Sequence, residues 1–211
     1  MTKTLIAVPC MDMVYTDFFE AIINLQRPEG TYFTVTKNTL IYVARNMIAA
    51  NAIEHGFDRV MWFDSDVVMP PDTLIKLSAD MDKGIDFVSG VYFTRRPPVI
   101  KPVTYSGLWH NQTKTGLDAG AVNYWEYPNT LTECAGVGFG CAMTSTALLT
   151  RIGQKFGSPF TPMDGLGEDL SFCMRCIQAG EKIFIDPEVK CGHVGAFQFN
   201  EDYYRKQGKP V

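Results

Sequence analysis

Apolar and polar positions alternate between two periods along this chain. Leu5-Ile6-Ala7-Val8 is an unbroken apolar run closed by Pro9, as in a strand buried on both faces. Residues 15–25 place Phe18, Ile22 and Leu25 at helical spacing, and Arg27-Pro28-Glu29-Gly30 stops them. Residues 31–36 alternate as a strand, with Tyr32, Thr34 and Thr36 against Phe33 and Val35. A helix is predicted over 39–55, with Asn38 as its cap and Gly56 as its stop. Val60-Met61-Trp62-Phe63 is a second doubly buried strand, and Pro70-Pro71-Asp72 opens a helix over 73–82. Residues 87–93 are strand-like again. Strand and helix thus alternate through the first half, the pattern of a mostly parallel sheet flanked by helices.

The second half reads differently. Residues 99–135 carry Thr, Tyr, Trp, Gly and Asn without helical period, which predicts antiparallel strands and long loops. A short helix over 145–152, an irregular stretch over 157–167 and a helix over 169–179 ended by Gly180 follow. No break in composition divides the chain, so one domain is expected over 1–211, with halves 1–95 and 96–195 and a tail 196–211.

With 211 residues, 46% hydrophobic and 20% charged, the composition is globular. A net charge of −4 argues against wholesale binding to nucleic acid or to an anionic membrane. No run has the ~18 apolar residues of a membrane span, and residues 5–8 are too short for a signal-peptide core. Six cysteines, at 10, 134, 141, 173, 176 and 191, lack the density of a disulfide scaffold. The expectation is a soluble, cytoplasmic protein.

Three constellations carry candidate chemistry. Asp64-Ser65-Asp66 follows the most hydrophobic strand. Residues i and i+2 of a strand share a face, and the carboxyl end of a parallel strand faces the ligand crevice of an open α/β sheet. Two carboxylates there suit a hard cation such as Mg²⁺ or Mn²⁺; the plain alternative is a solvated turn before Pro70. Gly167-Glu168-Asp169 opens a helix, where acids are favoured electrostatically even with no other role; one of them could serve as a general base. His193 stands among Gly192, Val194, Gly195 and Ala196, small neighbours that allow close approach. Cys173, Cys176, Cys191 and His193 form a rival set with structural-zinc chemistry, although the first two fall inside a helix.

In order and spacing these segments resemble the GT-A nucleotide-sugar glycosyltransferases, especially compact family-two-like members, over residues 5 to about 195. The resemblance rests on strand 60–63 leading into Asp64-Ser65-Asp66, on Gly136-Val137-Gly138-Phe139-Gly140, on Gly167-Glu168-Asp169 and on His193. It implies a Rossmann-like GT-A fold and transfer of a sugar, most simply from a UDP-sugar, to an acceptor hydroxyl. Asp64 would contact the ribose or share the metal region, and Asp66 and His193 would ligate Mn²⁺ or Mg²⁺. Asp169 would be the base and Glu168 would orient it or the acceptor. Pro9 to Asp12 would lie against the base, with Ser65 beside them, and Gly138 would line the sugar site. Arg45, in an Ala-Arg-Asn stretch, would face the nucleotide or simply pair with Asp64. Arg95, Arg96, Trp109 and Trp125 are acceptor-side candidates, and the acceptor could be a glycan, a metabolite, a protein or a hydroxymethylated DNA base. The competing readings are a nucleotidyltransferase, weakened because Pro9-Cys10-Met11-Asp12 is no phosphate loop, and a zinc-stabilised binding module.

Overall fold

The computed structural model describes residues 1–95, 99–114, 116–195 and 198–206. The chain runs β1 (Thr4–Cys10), α1 (Thr16–Asn24), β2 (Thr31–Lys37), α2 (Ile41–Glu54), β3 (Arg59–Phe63), β4 (Val67–Val68), α3 (Thr73–Met81), β5 (Phe87–Val91), β6 (Thr104–Thr113), β7 (Gly116–Asn123), β8 (Thr132–Cys134), β9 (Gly136–Val137), β10 (Cys141–Ser145), α4 (Thr146–Phe156), α5 (Glu168–Ala179), β11 (Ile183–Lys190), β12 (Gly192–Val194), β13 (Gln198–Phe199) and α6 (Glu201–Lys206).

Seven strands form the central sheet in the order β2-β1-β3-β10-β5-β11-β8. β1 lies parallel to β2 and β3, and β11 parallel to β5, whereas β10 and β8 run antiparallel to their neighbours. The predicted α/β class with a mostly parallel sheet therefore holds. Period-two geometry explains the core. Leu5, Ala7, Val60 and Trp62 point to one face, under α2, α4 and α5; Ile6, Val8, Met61 and Phe63 point to the other, under α1 and α3. Uninterrupted apolar runs are what such a doubly covered strand requires.

On the first face the rings of Phe160 and Phe172 stack with centroids 4.7 Å apart, and Phe139 meets them edge-on at 5.0 and 5.3 Å. Trp62 joins this cluster and satisfies its buried indole N–H on Thr144 Oγ1 at 2.9 Å. The irregular region becomes the β6–β7 hairpin, with β9 paired to β6 and β8 added at the sheet edge.

Two boundaries differ from expectation. Asn38 does not cap α2, whose N-cap is Leu40. Asn38 instead takes a left-handed conformation (φ 57°), and its N–H donates to Met11 O at 3.1 Å, tying the approach to α2 to the turn after β1. The short helix at 145–152 continues to Phe156, capped by Ser145 Oγ accepting from the Leu148 N–H and stopped at Gly157 (φ 81°). No helix among the described residues is long and apolar enough to cross a membrane.

Candidate active site

From β1 the chain passes outward to β2 and then returns across β1 to β3, so strand order reverses between β1 and β3. Open α/β sheets bind ligands at that reversal, beyond the carboxyl ends of the strands. A cleft of about 790 Å³ opens there, large enough for a nucleotide-sized ligand. Pro9 and Cys10 at the end of β1 and Met11 just beyond it, Asp64, Ser65 and Asp66 after β3, and Tyr92 and Arg95 after β5 form its floor. Arg45 of α2 and Glu168 of α5 close one side, and Lys101, Tyr105 and Asn123 form the other.

Asp66 and His193 meet through two short strands. β12 pairs antiparallel with β4, placing His193 opposite Val67, and the Val194 N–H donates to Asp66 O at 2.8 Å. His193 Nδ1 lies 2.6 Å from Phe93 O, which can only accept, so Nδ1 carries the proton and Nε2 turns toward Asp66 Oδ1 at 3.5 Å. A backbone carbonyl holding one ring nitrogen is the arrangement that orients metal-ligating histidines. Asp66 Oδ2 also meets Arg95 Nη1 at 2.7 Å, and the same Nη1 donates to Val194 O. Burial alone would raise the Asp66 carboxyl, but His193 and Arg95 outweigh it and hold it below its ordinary range.

Arg45 is only 1% exposed, and it carries charge into the core. Its Nη2 donates to Asp64 Oδ1 at 2.7 Å, and its Nε lies 3.5 Å from Glu168 Oε1. The guanidinium lies over the Phe139 ring at 5.2 Å, while Nε and Nη1 have no hydrogen-bond partner among the described residues. Burial disfavours that charge, yet Asp64, Glu168 and Asp169 more than offset it. Beside this pair, Asp169 accepts from the Leu170 N–H at 2.7 Å, and burial followed by the Glu168 charge pushes its carboxyl up to about 6. Glu168, not Asp169, lines the cleft.

Of the residues predicted for the site, Pro9, Arg45, Asp64, Ser65, Asp66, Glu168 and His193 converge on the cleft. Asp12 is exposed and outside the lining, and Gly138 lies beneath Tyr92 rather than on the wall. A Cβ on Gly138 would come within 2.0 Å of the Tyr92 hydroxyl and 2.7 Å of Val103, and one on Gly140 within 2.8 Å of the Tyr92 ring. The glycine run thus seats Tyr92, whose oxygen accepts from the Gly140 N–H. Asp64, Asp66 and His193 do not form one ligand set: among the described residues no three His, Cys, Asp or Glu side chains gather to hold an ion, and each aspartate is paired with an arginine, Asp64 with Arg45 and Asp66 with Arg95. The zinc set is not assembled either. Cys173 and Cys176 lie in the core on one face of the sheet and Cys191 in the core on the other. Trp109 packs over Gly120 and donates to Asp118, and Trp125 lies under the Lys101 ammonium at 4.6 Å. Arg96 lies outside the described residues. Tyr92, Tyr105 and Asn123 escaped the sequence reading, in which Lys101 figured only as part of a basic loop with Arg95 and Arg96; the glycine run was the one signal pointing to Tyr92, because small residues mark close approach.

Fold and cleft together define an α/β protein with an open cleft at the sheet's reversal point. No family model matches the chain, and no curated protein matches it in sequence. Among solved structures, the crystal structure of A197 from STIV is similar with a TM-score of 0.67, covering 92% of this chain and 86% of that one at 18% identity. That is a likeness of fold.

Proposed function

We propose that the protein is a divalent-metal-dependent glycosyltransferase acting on a nucleotide-sugar, with a UDP-sugar as donor. The observation that carries this reading is the pairing of Asp66 with His193 Nε2, the imidazole held by Phe93 O, at the mouth of the cleft where the sheet order reverses. One carboxylate and one imidazole suit Mn²⁺ or Mg²⁺ when ligand oxygens complete the coordination. Asp66 and His193 would hold the ion, which when bound would neutralise the charge of a leaving diphosphate.

The rest falls to the chain itself. Residues 9–11 and Ser65 would border the nucleotide. Lys101, which has no carboxylate partner among the described residues, adds positive charge on the wall formed by the second half. Glu168 and Asp64 keep Arg45 charged and in place. Asp169, with its carboxyl raised to about 6, is ionised at neutral pH and basic enough to take the proton of an acceptor hydroxyl. The acceptor oxygen then bonds to the anomeric carbon as the carbon–diphosphate bond breaks.

A thermal-shift and hydrolysis screen of nucleotide-sugars, with and without Mn²⁺, tests the reading. A UDP-sugar should raise the melting temperature in the presence of the ion and be slowly hydrolysed. Indifference to every nucleotide-sugar under both conditions would refute it.

A further inference from the structure

His193 commits Nδ1 to Phe93 O, so the neutral ring turns a lone pair toward Asp66 Oδ1 across 3.5 Å. Two acceptors facing each other do not hold one another; a cation between them would. Asp66 instead finds a positive charge at its other oxygen. Arg95 Nη1 lies 2.7 Å from Oδ2, and the same nitrogen donates to Val194 O at 2.7 Å, so one side chain links the end of β5, the turn after β3 and β12. A divalent ion on Asp66 and His193 would share a single carboxylate with that guanidinium, and like charges so close repel. The two cations therefore compete for Asp66. Only one of the arginines lining the cleft among the described residues can move out of the way. Arg45 is fixed between Asp64 and Glu168 with its side chain 2% exposed, whereas the Arg95 side chain keeps 37% of its exposure.

We propose, resting on the metal-dependent reading above, that Arg95 stands in for the cation in the unliganded chain and couples the binding of the ion to that of a nucleoside diphosphate. Arg95 must leave Asp66 before a bare ion can bind, with no new partner to take, so such an ion binds weakly. A diphosphate supplies the partner, because the planar fork of a guanidinium matches phosphate oxygens two at a time. With Arg95 turned onto the phosphates, Asp66 and His193 are open to the ion. Each ligand then strengthens the other by the same factor, as linkage requires. The site stays closed to free ions until a donor arrives.

Paramagnetic resonance of free Mn²⁺ and calorimetry of uridine diphosphate test this on the wild-type chain, Arg95→Gln and Arg95→Lys, with circular dichroism to show the fold retained. Without nucleotide, Arg95→Gln should bind Mn²⁺ at least about tenfold more tightly than wild type, because one positive charge has left the carboxylate. Arg95→Lys keeps that charge and should stay near wild type. The factor by which Mn²⁺ strengthens the binding of uridine diphosphate should fall at least several-fold in Arg95→Gln. An Mn²⁺ affinity unchanged or lowered in Arg95→Gln would overturn the proposal. So would an equal gain in Arg95→Lys or an unchanged coupling factor, and each of these would leave the metal-dependent reading standing. A wild-type chain that binds no Mn²⁺ even with uridine diphosphate would instead remove that reading, and this proposal with it.

Discussion

Asp169→Asn is expected to slow turnover by orders of magnitude and at the same time make the protein more stable at neutral pH. The Asp169 carboxyl protonates at about 6 rather than at its ordinary 3.8 because burial and the Glu168 charge disfavour the anion. Between about pH 4 and 6 the folded chain holds a proton that the unfolded chain has released, so stability falls as pH rises through that window and stays lower above it. The difference corresponds to about 3 kcal/mol. Asparagine keeps the acceptor oxygen for the Leu170 N–H and removes the charge. Thermal unfolding at pH 7.5 should therefore show a melting temperature raised by several degrees, with the gain vanishing near pH 4. If Asp169 is the base, kcat should fall by about 10²–10⁴ while uridine diphosphate still binds, and wild-type activity should show an acid limb near pH 6. A variant with full turnover would move the role to Glu168, which does line the cleft.

Arg45→Met should do the reverse. The guanidinium neutralises Asp64 and Glu168 from a site closed to water, and it lies over the aromatic cluster of the core. Removing it leaves the Asp64 and Glu168 carboxylates without their counter-charge, beside an Asp169 whose anion burial already disfavours. Breaking a buried ion pair from one side costs about 3–5 kcal/mol. The lower end is expected here, because the Asp64 side chain keeps 30% of its exposure. Chemical denaturation should show a loss of about 3 kcal/mol. A loss within about 0.5 kcal/mol, as for an ordinary surface substitution, would mean that the buried ion pairs do not hold the fold.

Much of this was legible in the chain, for reasons that differ from element to element. β1 and β3 are plain because a strand covered on both faces admits almost no polar residue, and α3 and α5 because proline and glycine mark their limits. Asp66 and His193 could each be singled out by their neighbours. Their meeting could not, since it depends on β4 and β12, two short strands whose pairing leaves no periodic trace. Asn38 looked like a cap because asparagine serves caps and left-handed turns equally, and only the bond to Met11 O decides which. Cys173, Cys176 and Cys191 looked like ligands because linear spacing does not say on which face of a sheet a residue falls. Gly138 was placed in the site for the right composition and the wrong reason: the ring of Tyr92, not a ligand, lies against it. Arg95 pairing with Asp66 bridges the end of β5 and the end of β3, a contact set by the tertiary arrangement alone.

Calorimetric titration of uridine diphosphate, with and without Mn²⁺, into the wild-type chain and into His193→Ala puts the central claim to its most direct test. Binding that requires the ion, and that falls at least tenfold without the imidazole, is the predicted result. Equal affinity in the absence of any divalent cation, or in the alanine variant, would contradict it.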